Sequence, residues 1–287
     1  LNGGKILADN PTVYNITFAD IVLNNPIKDG YIFIGWSGTG LAEMTTKLTI
    51  PRGSIGNRKY TANFMVESYH ITYNIDGGCV AKANPESYDI TSATITLNNP
   101  TKEGYTFLGW TGTDIAELTS TVTIPTGSTG PREYTASFTP DSYTISYELD
   151  GGSIATPNPE NYDITSDTIT LTNPEKEGYD FIGWTGTDIA ELSTTVRIEQ
   201  GSTGNRVYTA SYTLISYIIS YLGIEDSTVD PNNPTSYDIT SDTIILNNPT
   251  KDGYSFLGWT LSDTDKPTRN MIIAQGGNLR SGNTTNC

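Results

Sequence analysis

The sequence predicts a β-rich protein built from four small modules in tandem. First, a stretch that runs from Asn99 to Trp110 occurs four times, with its tryptophans 74, 74 and 75 residues apart. Second, apolar and polar residues alternate between these stretches, which is typical of strands with one buried face. Third, Thr, Asn, Ser and Gly are abundant, which favours exposed strands and turns. A period of this length fits a self-contained module better than a solenoid turn.

The period divides the chain into modules at residues 1–64, 65–138, 139–212 and 213–287. Each module is near the smallest size that buries a core without disulfides or metal. The connecting segments are short and none is a flexible Gly/Ser tether. We therefore expect an elongated rod, on the order of 120 Å long for modules about 30 Å across.

Residues 143–212 show the module most clearly. Segment 143–149 alternates as a strand and ends at an Asp-Gly-Gly turn. Segment 162–171 is expected to form a bulged strand or two short strands, with a one-turn helix as the alternative. Segment 179–184 carries apolar residues of both parities, which predicts a central strand covered on both faces. Within it, Gly183 would let a ring or another backbone lie close. Five or six short strands per module are expected.

The recurring stretch also predicts the structural core of each repeat. Every copy contains a tyrosine after a turn and a Gly-Trp pair later in the same strand. These residues are Tyr31, Gly35 and Trp36; Tyr105, Gly109 and Trp110; Tyr179, Gly183 and Trp184; and Tyr254, Gly258 and Trp259.

The two terminal repeats differ from the inner ones. Leu1 to Gly4 aligns with Leu149 to Gly152, so the first repeat lacks its opening strand; at the other end, residues 284–287 align with residues 135–138. We expect a fragment of a longer precursor, or else an assembly in which another chain fills the free sheet edge. A shifted module boundary, with Tyr69 to Ile75 closing the first repeat, would leave the fourth repeat incomplete instead.

The motifs Ser-Tyr-Thr-Ile-x-Tyr-x-x-Asp-Gly-Gly, Asn-Pro-x-x-Tyr-x-Ile-Thr and Asn-Pro-x-Lys-x-Gly-Tyr-x-Phe-x-Gly-Trp recur in register. In these motifs the chain resembles the Listeria–Bacteroides repeat family, which includes the internalin B repeat. The resemblance covers essentially the whole chain and implies a β-grasp-like module, in which a sheet packs on a short helix or an irregular crossover. It also implies an extracellular localisation, secreted or on the bacterial cell surface, a role as a stalk, and no catalytic residues.

Charge and cysteine content exclude several classes of function. A net charge of −16 argues against nucleic acid and anionic membrane surfaces. No apolar run approaches membrane-spanning length, so membrane insertion is not expected. Cys79 and Cys287 occupy non-equivalent positions, which excludes a disulfide framework and a thiol-rich metal site. No cofactor is expected.

Candidate catalytic and metal-binding residues favour structural interpretations. His70 lies on the polar face of its strand without a recurring nucleophile. The pairs Asp114/Glu117 and Asp188/Glu191 recur in polar loops, where exposure is favoured over acid–base chemistry. Calcium is the better candidate for the acidic residues, including Asp263 and Asp265, but no Asp-x-Asp-x-Asp-Gly loop occurs. We therefore predict no catalytic and no metal site.

Two recurring sets of cations and the aromatic residues are also assigned structural roles. The turn lysines are interpreted as solvated charges rather than as partners in isopeptide bonds: Lys28, Lys102, Lys176 and Lys251. Arg58, Arg132 and Arg206 are expected to pair with local acids or to cap carbonyls. The aromatic residues are assigned to the core rather than to a glycan-binding platform.

These inferences predict a non-enzymatic structural protein, the stalk or shaft of a bacterial surface or extracellular assembly. Its expected partners are neighbouring copies of itself, as in a head-to-tail filament, or flanking domains of a longer surface protein. The alternative is a multivalent adhesin for a host glycan or protein, through the nearly identical loops Thr111 to Leu118 and Thr185 to Leu192.

Overall fold

A computed structural model describes residues 1–261, 266–276 and 279–281, and every regular element in them is a β-strand. The prediction of a β-rich protein is therefore confirmed. The chain forms two compact units, Leu1–Asp141 and Ser142–Cys287. The proposed alignment of residues 284–287, and the position of Cys287, lie outside the described residues.

The strands are numbered in chain order and fall into four groups that follow the repeats. The first repeat contains β1 Ile21–Val22, β2 Tyr31–Gly38, β3 Thr49–Ile50 and β4 Tyr60–Val66. The second contains β5 Ser68–Asn74, β6 Ser87–Asp89, β7 Ile95–Thr96, β8 Tyr105–Gly112, β9 Thr123–Ile124 and β10 Arg132–Pro140. The third contains β11 Tyr143–Glu148, β12 Asn161–Tyr162, β13 Ile169–Thr170, β14 Tyr179–Gly186, β15 Arg197–Ile198 and β16 Arg206–Leu214. The fourth contains β17 Tyr217–Ile218, β18 Ser236–Tyr237, β19 Ile244–Ile245, β20 Met271–Ile273 and β21 Leu279–Ser281.

The second and third repeats share one topology. Each has a four-stranded sheet, in the order β6-β5-β10-β8 or β12-β11-β16-β14, and a two-stranded ribbon, β7-β9 or β13-β15. The opening strand of the repeat pairs parallel with its last strand, and the last strand pairs antiparallel with the long Trp-bearing strand. Six strands per repeat agree with the expected five or six. The crossovers of these two repeats contain no helix.

The Trp-bearing strand lies at an edge of the sheet, so the prediction of a central strand covered on both faces is wrong. A β-bulge between Phe181 and Gly183 interrupts the pairing of β14 with β16. The bulge brings Phe181 and Trp184 together with ring centroids 5.6 Å apart, although in a regular strand their odd spacing would place them on opposite faces. Ile182 is exposed as a result. The bulge therefore explains why segment 179–184 carries apolar residues at both odd and even positions.

Segment 162–171 resolves into the two short strands β12 and β13, which was one of the expected alternatives. The close approach at Gly183 is also confirmed, and its partners are the Leu192 side chain and the backbone of Ser193. A Cβ atom at this position would lie 3.0 Å from backbone atoms of Ser193, whose carbonyl accepts the Trp184 amide at 2.8 Å.

Each inner repeat has one core between the sheet and the ribbon. In the third repeat the buried residues come from five strands and the intervening loops: Ile145, Tyr162, Leu171, Trp184, Val196, Ile198, Tyr208 and Ala210. The second repeat buries the equivalent set: Ile71, Tyr88, Leu97, Trp110, Val122, Ile124, Tyr134 and Ala136. The tryptophan is fully buried in both.

The first and fourth repeats carry parts of this arrangement. In the first repeat, β2 pairs with β4 and β1 with β3. In the described part of the fourth repeat, β17 pairs with β18, and β19, β20 and β21 form one sheet. Trp36 and Trp259 anchor smaller buried clusters than the inner tryptophans.

Consecutive repeats interlock within each unit. The turn at Gly30 meets Ile90 of the second repeat so closely that a Cβ atom on the glycine would lie 2.6 Å from the isoleucine side chain. Gly178 meets Ile239 at the same distance. The carbonyl oxygens of these glycines accept backbone N–H groups of Glu67 and Ile215, both at 3.0 Å. Each junction therefore combines side-chain packing with a main-chain hydrogen bond.

Candidate functional site

The tryptophan of each of the first three repeats is held by an asparagine at the start of the recurring stretch. The indole N–H of Trp110 donates to Asn99 Oδ1 at 2.9 Å, and the Asn99 amide donates to the carbonyl of Ser120 at 2.9 Å. Asn25 and Asn173 make the same two contacts in their repeats. The Trp259 indole N–H has no such partner among the described residues. Sequence reasoning missed these asparagines, although they recur eleven residues before each tryptophan.

A second set of asparagines ties the loop after the opening strand to the end of the following strand. Asn158 is buried; its amide donates to the Thr172 carbonyl at 3.0 Å, and its Oδ1 accepts the Thr172 N–H at 2.7 Å. Equivalent pairs join Asn84 to Asn98, Asn233 to Asn247, and Asn10 to Asn24. The recurring Asn-Pro dipeptide was the available signal in the sequence. The contacts are structural because the asparagine side chain pairs with both the N–H and the carbonyl of one backbone residue.

The recurring arginines bridge a buried tyrosine and a loop aspartate. Arg206 donates from Nε to the Tyr162 hydroxyl at 2.8 Å and from Nη1 to Asp188 at 2.6 Å. Arg132 contacts Tyr88 and Asp114 in the same way. Burial alone would lower the pKa of both arginines, but these hydrogen bonds outweigh it and raise the pKa. The expected pairing with local acids is confirmed for Arg132 and Arg206, whereas Arg58 donates to the hydroxyl groups of Tyr14 and Tyr60.

The turn lysines are not the solvated charges that the sequence suggested. The Lys176 side chain is only 22% exposed. Its Nζ donates to the carbonyl of Asp150 at 2.6 Å, lies 3.1 Å from that residue's carboxylate, and faces the rings of Tyr179 and Tyr212. Lys102 makes the same kind of contacts, and Lys28 and Lys251 also face aromatic rings. The turn folds the lysine back over the aromatic strand, so its charge fixes the Asp-Gly-Gly turn.

Replacing Lys176 by methionine is expected to lower the free energy of unfolding of the third repeat by about 1–2 kcal/mol, because a cation–π contact and a hydrogen bond are lost. Denaturant unfolding read by hydrogen exchange in the third repeat measures the change. Arg197→Met is the matched control, since Arg197 is half exposed and its ion pair is with exposed Glu199. Equal effects of the two substitutions would contradict the role assigned to Lys176.

An aspartate after each Tyr of the Asn-Pro-x-x-Tyr motif closes a tight turn. Asp163 Oδ1 accepts the Thr165 hydroxyl at 2.7 Å and the Thr165 N–H at 2.8 Å, with Ser166 nearby. These hydrogen bonds, led by that from the Thr165 hydroxyl, lower the pKa of the carboxyl group below its ordinary value. The pKa values of Asp89 and Asp238 are lowered in the same way. Asn15 makes the equivalent turn without a charge.

Because these carboxyl groups have a lower pKa in the folded than in the unfolded chain, they stabilise the fold above their unfolded pKa, about 3.9. That stabilisation is lost as the pH falls through the folded pKa. Changing Asp89, Asp163 and Asp238 together to asparagine should keep the turns, as Asn15 does, and flatten the dependence of Tm on pH below about pH 4. Thermal scans of the unmodified chain and of the triple variant from pH 7 to pH 2 provide the test. An equal slope of Tm against pH in the two proteins would contradict the role of these carboxyl groups.

A groove with a volume of about 860 Å³ lies on the first repeat. Its lining includes the segment Val13 to Asn15, together with Trp36, Arg58 and Tyr60. In the second repeat the equivalent space is filled by β5, which pairs with β6 on one side and with β10 on the other. The groove therefore has the position of an opening strand.

The remaining predicted residues are exposed or structural. His70 is exposed on β5, and Asp114 and Asp188 are exposed loop residues apart from their contacts with arginine. Cys79 is exposed. Tyr31, Tyr105 and Tyr179 are half-buried, whereas Tyr254 is exposed; Gly35, Gly109 and Gly258, like Gly183, have positive φ. Asp263 and Asp265 lie outside the described residues. Within residues 1–261, 266–276 and 279–281, no three His, Cys, Asp or Glu side chains are grouped to hold a metal ion.

No helix among the described residues has the length and apolarity to cross a membrane.

Comparison with known proteins yields one family. The model of the Listeria-Bacteroides repeat domain matches four segments of the chain, residues 1–54, 69–130, 143–213 and 217–273. The four matches agree with the four repeats read from the tryptophan period; the exact module boundaries remain predictions.

Two similar proteins come from Evansella cellulosilytica. One, named "Putative membrane protein", is 25% identical over 237 residues, which cover 82% of this chain and 34% of the relative. The other, named "Putative Gly-rich membrane protein", is 26% identical over 242 residues, which cover 81% of this chain and 26% of the relative. The chain thus spans about a third or a quarter of the length of these relatives. No solved structure matches it significantly.

Proposed function

Because the chain belongs to the Listeria–Bacteroides repeat family, with four matches that cover most of its length, we propose that it is a non-enzymatic structural segment, the stalk or shaft of a larger protein at the bacterial cell surface. Two relatives named as membrane proteins, each much longer than this chain, support a location at the cell envelope. The net charge of −16 suits a solvated array whose neighbours repel one another.

The junctions between repeats carry this proposal. Val66 ends β4 and Ser68 begins β5, so only Glu67 separates the last strand of one repeat from the opening strand of the next. At the same point Ile90 packs against the Gly30 turn. A junction with one connecting residue and a packed side chain restricts hinging, which is what a spacer needs to hold its ends apart.

Single-molecule force spectroscopy on the chain tests the spacer function. Pulled from its ends, the chain should unfold in separate events, with contour-length increments of about 20–25 nm for a repeat of this length. Extension without force peaks would contradict a mechanical role. Ile90→Ala should weaken the coupling between the first two repeats, and the exposed substitution Ile182→Ala is the control.

A multivalent adhesin is the second candidate, and the recurring loops favour it. Leu118 and Leu192 are exposed at equivalent positions, although leucine is usually buried. Two equal contacts on one chain would raise avidity without any new interaction.

Binding of the chain to glycan arrays and to host cell surfaces tests the adhesin function. A double substitution of Leu118 and Leu192 by serine should abolish binding if the loops bind a ligand, and it should leave the force profile of the array unchanged. Binding that survives the substitution would show that these leucines are not the ligand contact.

A further inference from the structure

The opening strand and the last strand of each inner repeat lie side by side and run in the same direction. In the second repeat four consecutive residue pairs join β5 to β10, from Ile71↔Arg132 to Asn74↔Thr135. In the third repeat β11 and β16 are paired in the same way. The polypeptide therefore enters each inner repeat along one strand of this pair and leaves along the other.

This pairing determines how a repeat meets tension along the chain. Tension pulls the start of β5 and the end of β10 in opposite directions. Because parallel strands begin at the same end of their ladder, the tension acts along the strands and slides one past the other, so the backbone hydrogen bonds between them carry the load together. If the two strands were antiparallel, the same tension would open the ladder from one end, one hydrogen bond at a time.

The load reaches β5 without a slack loop. Glu67 is the single residue between β4 and β5. Its N–H donates to the Gly30 carbonyl at 3.0 Å, and its carboxylate accepts the Tyr69 hydroxyl at 2.9 Å. Tension in β4 therefore passes into β5 across one residue that is itself held in place.

Side chains also resist the sliding of the two strands. Tyr73 and its register partner Tyr134 stack with ring centroids 6.2 Å apart and an interplanar angle of 26°. Tyr147 and Tyr208 stack in the same way at 6.4 Å. The Tyr73 hydroxyl also donates to the Pro85 carbonyl at 2.8 Å. A shift of one residue would separate the rings, break this hydrogen bond and turn the buried face of β5 outward.

On its other side β5 pairs with β6, and an arginine links β6 to β10. Arg132 of β10 donates from Nε to the hydroxyl of Tyr88, on β6, at 3.1 Å, and that hydroxyl donates to the Gly130 carbonyl at 2.6 Å. Arg206 and Tyr162 make the equivalent contact at 2.8 Å. The link joins the two neighbours of β5, so β5 is held from both sides.

We propose that the parallel pairs β5–β10 and β11–β16 are force-bearing clamps, which keep the inner repeats folded when the chain is pulled along its length. The clamp rests on the proposed function, since a stalk carries tension between its two ends. Forced unfolding is governed by the unfolding rate and not by the equilibrium free energy. The resistance of a clamp therefore depends on the direction of the pull.

Optical-tweezers measurements on the whole chain test this dependence, with handles on introduced cysteines and the two native cysteines replaced by serine. Handles at Ser68→Cys and Thr139→Cys load β5 and β10 along their length. Handles at Asn74→Cys and Thr135→Cys, which lie opposite each other, pull the strands apart sideways. All four positions are exposed. The first pair should unfold the repeat at a force at least about twofold higher, because several hydrogen bonds break together instead of in sequence.

The third repeat provides an independent measurement. Ser142→Cys with Thr213→Cys loads β11 and β16 along their length, and Glu148→Cys with Thr209→Cys pulls them apart sideways. This comparison decides the matter if a variant of the second repeat does not fold.

A pair of substitutions separates the clamp from general stability. Tyr73→Ala should lower the unfolding force along the strands, because it removes a stacked ring from the clamp. Ile124→Ala is the matched control, since Ile124 is 1% exposed and lies on β9, in the ribbon outside the clamp. It should lower the stability in denaturant and leave that force unchanged.

Equal forces in the two directions, or a force that follows the stability in denaturant for both substitutions, would overturn the clamp and leave the spacer function standing. Extension without force peaks when the chain is pulled from its ends would overturn both.

Discussion

Replacing Gly112 by alanine is expected to unfold the second repeat. Gly112 has φ of 140°, a conformation that L-residues rarely adopt, and it pairs with Tyr134 on the central strand β10. A Cβ atom would lie 2.0 Å from the carbonyl oxygen of Glu133, which is backbone and has little freedom to move. The strain and the overlap together should cost at least about 3 kcal/mol. Urea unfolding followed by hydrogen exchange in the second repeat measures the loss.

Gly127→Ala is the control for this experiment. Gly127 also has positive φ, 88°, but a Cβ atom there meets nothing within 4 Å. Its substitution therefore reports the conformational cost alone, about 1–2 kcal/mol. Similar losses for the two variants would show that overlap with β10 is not the cause.

Replacing Trp110 by alanine should lower the free energy of unfolding of the second repeat by about 3–5 kcal/mol. The side chain is fully buried, packs edge to face on Phe107 at 5.7 Å, and donates to Asn99. Its removal leaves a cavity and an asparagine oxygen without its donor. Chemical denaturation of the whole chain, with exchange rates resolved by repeat, distinguishes a local loss from a global one.

Two further variants divide the effect of Trp110 into its parts. Trp110→Phe keeps an aromatic ring but removes the indole N–H and part of the side-chain volume. Its effect therefore measures the hydrogen bond and the lost volume, without the loss of aromatic packing. Leu108→Ala, on the same strand, removes an exposed side chain and should change stability by less than about 1 kcal/mol. A small effect of Trp110→Ala would contradict the role of the tryptophan as the centre of its core.

The repeats and most turn chemistry were predictable because they depend on local sequence. The spacing of Gly-Trp pairs identified the four copies, and the close approach at Gly183 follows from a glycine beside a bulky residue. Parallel pairing of β5 with β10 was not predictable, because residues about 60 positions apart meet there and neither strand carries a mark of its partner.

Two errors show where periodicity fails. The bulge at Phe181 and Gly183 changes which side chains share a face, so a parity count placed Ile182 in a core that it does not join. Lys176 lies in a turn and was interpreted as solvated. Its ammonium group instead faces the aromatic rings of its own repeat and lies beside Asp150.

The place of β10 at the centre of its sheet determines the order in which the second repeat folds. The first strand of this repeat, β5, emerges early in synthesis, but β10, the parallel partner of β5, is complete only when Pro140 has been added. Until then β5 has an unpaired side, and the core around Trp110 lacks Tyr134 and Ala136. Such long-range closure gives a high contact order and folding in milliseconds to seconds rather than microseconds. The second and third repeats therefore complete their sheets only with their last strands.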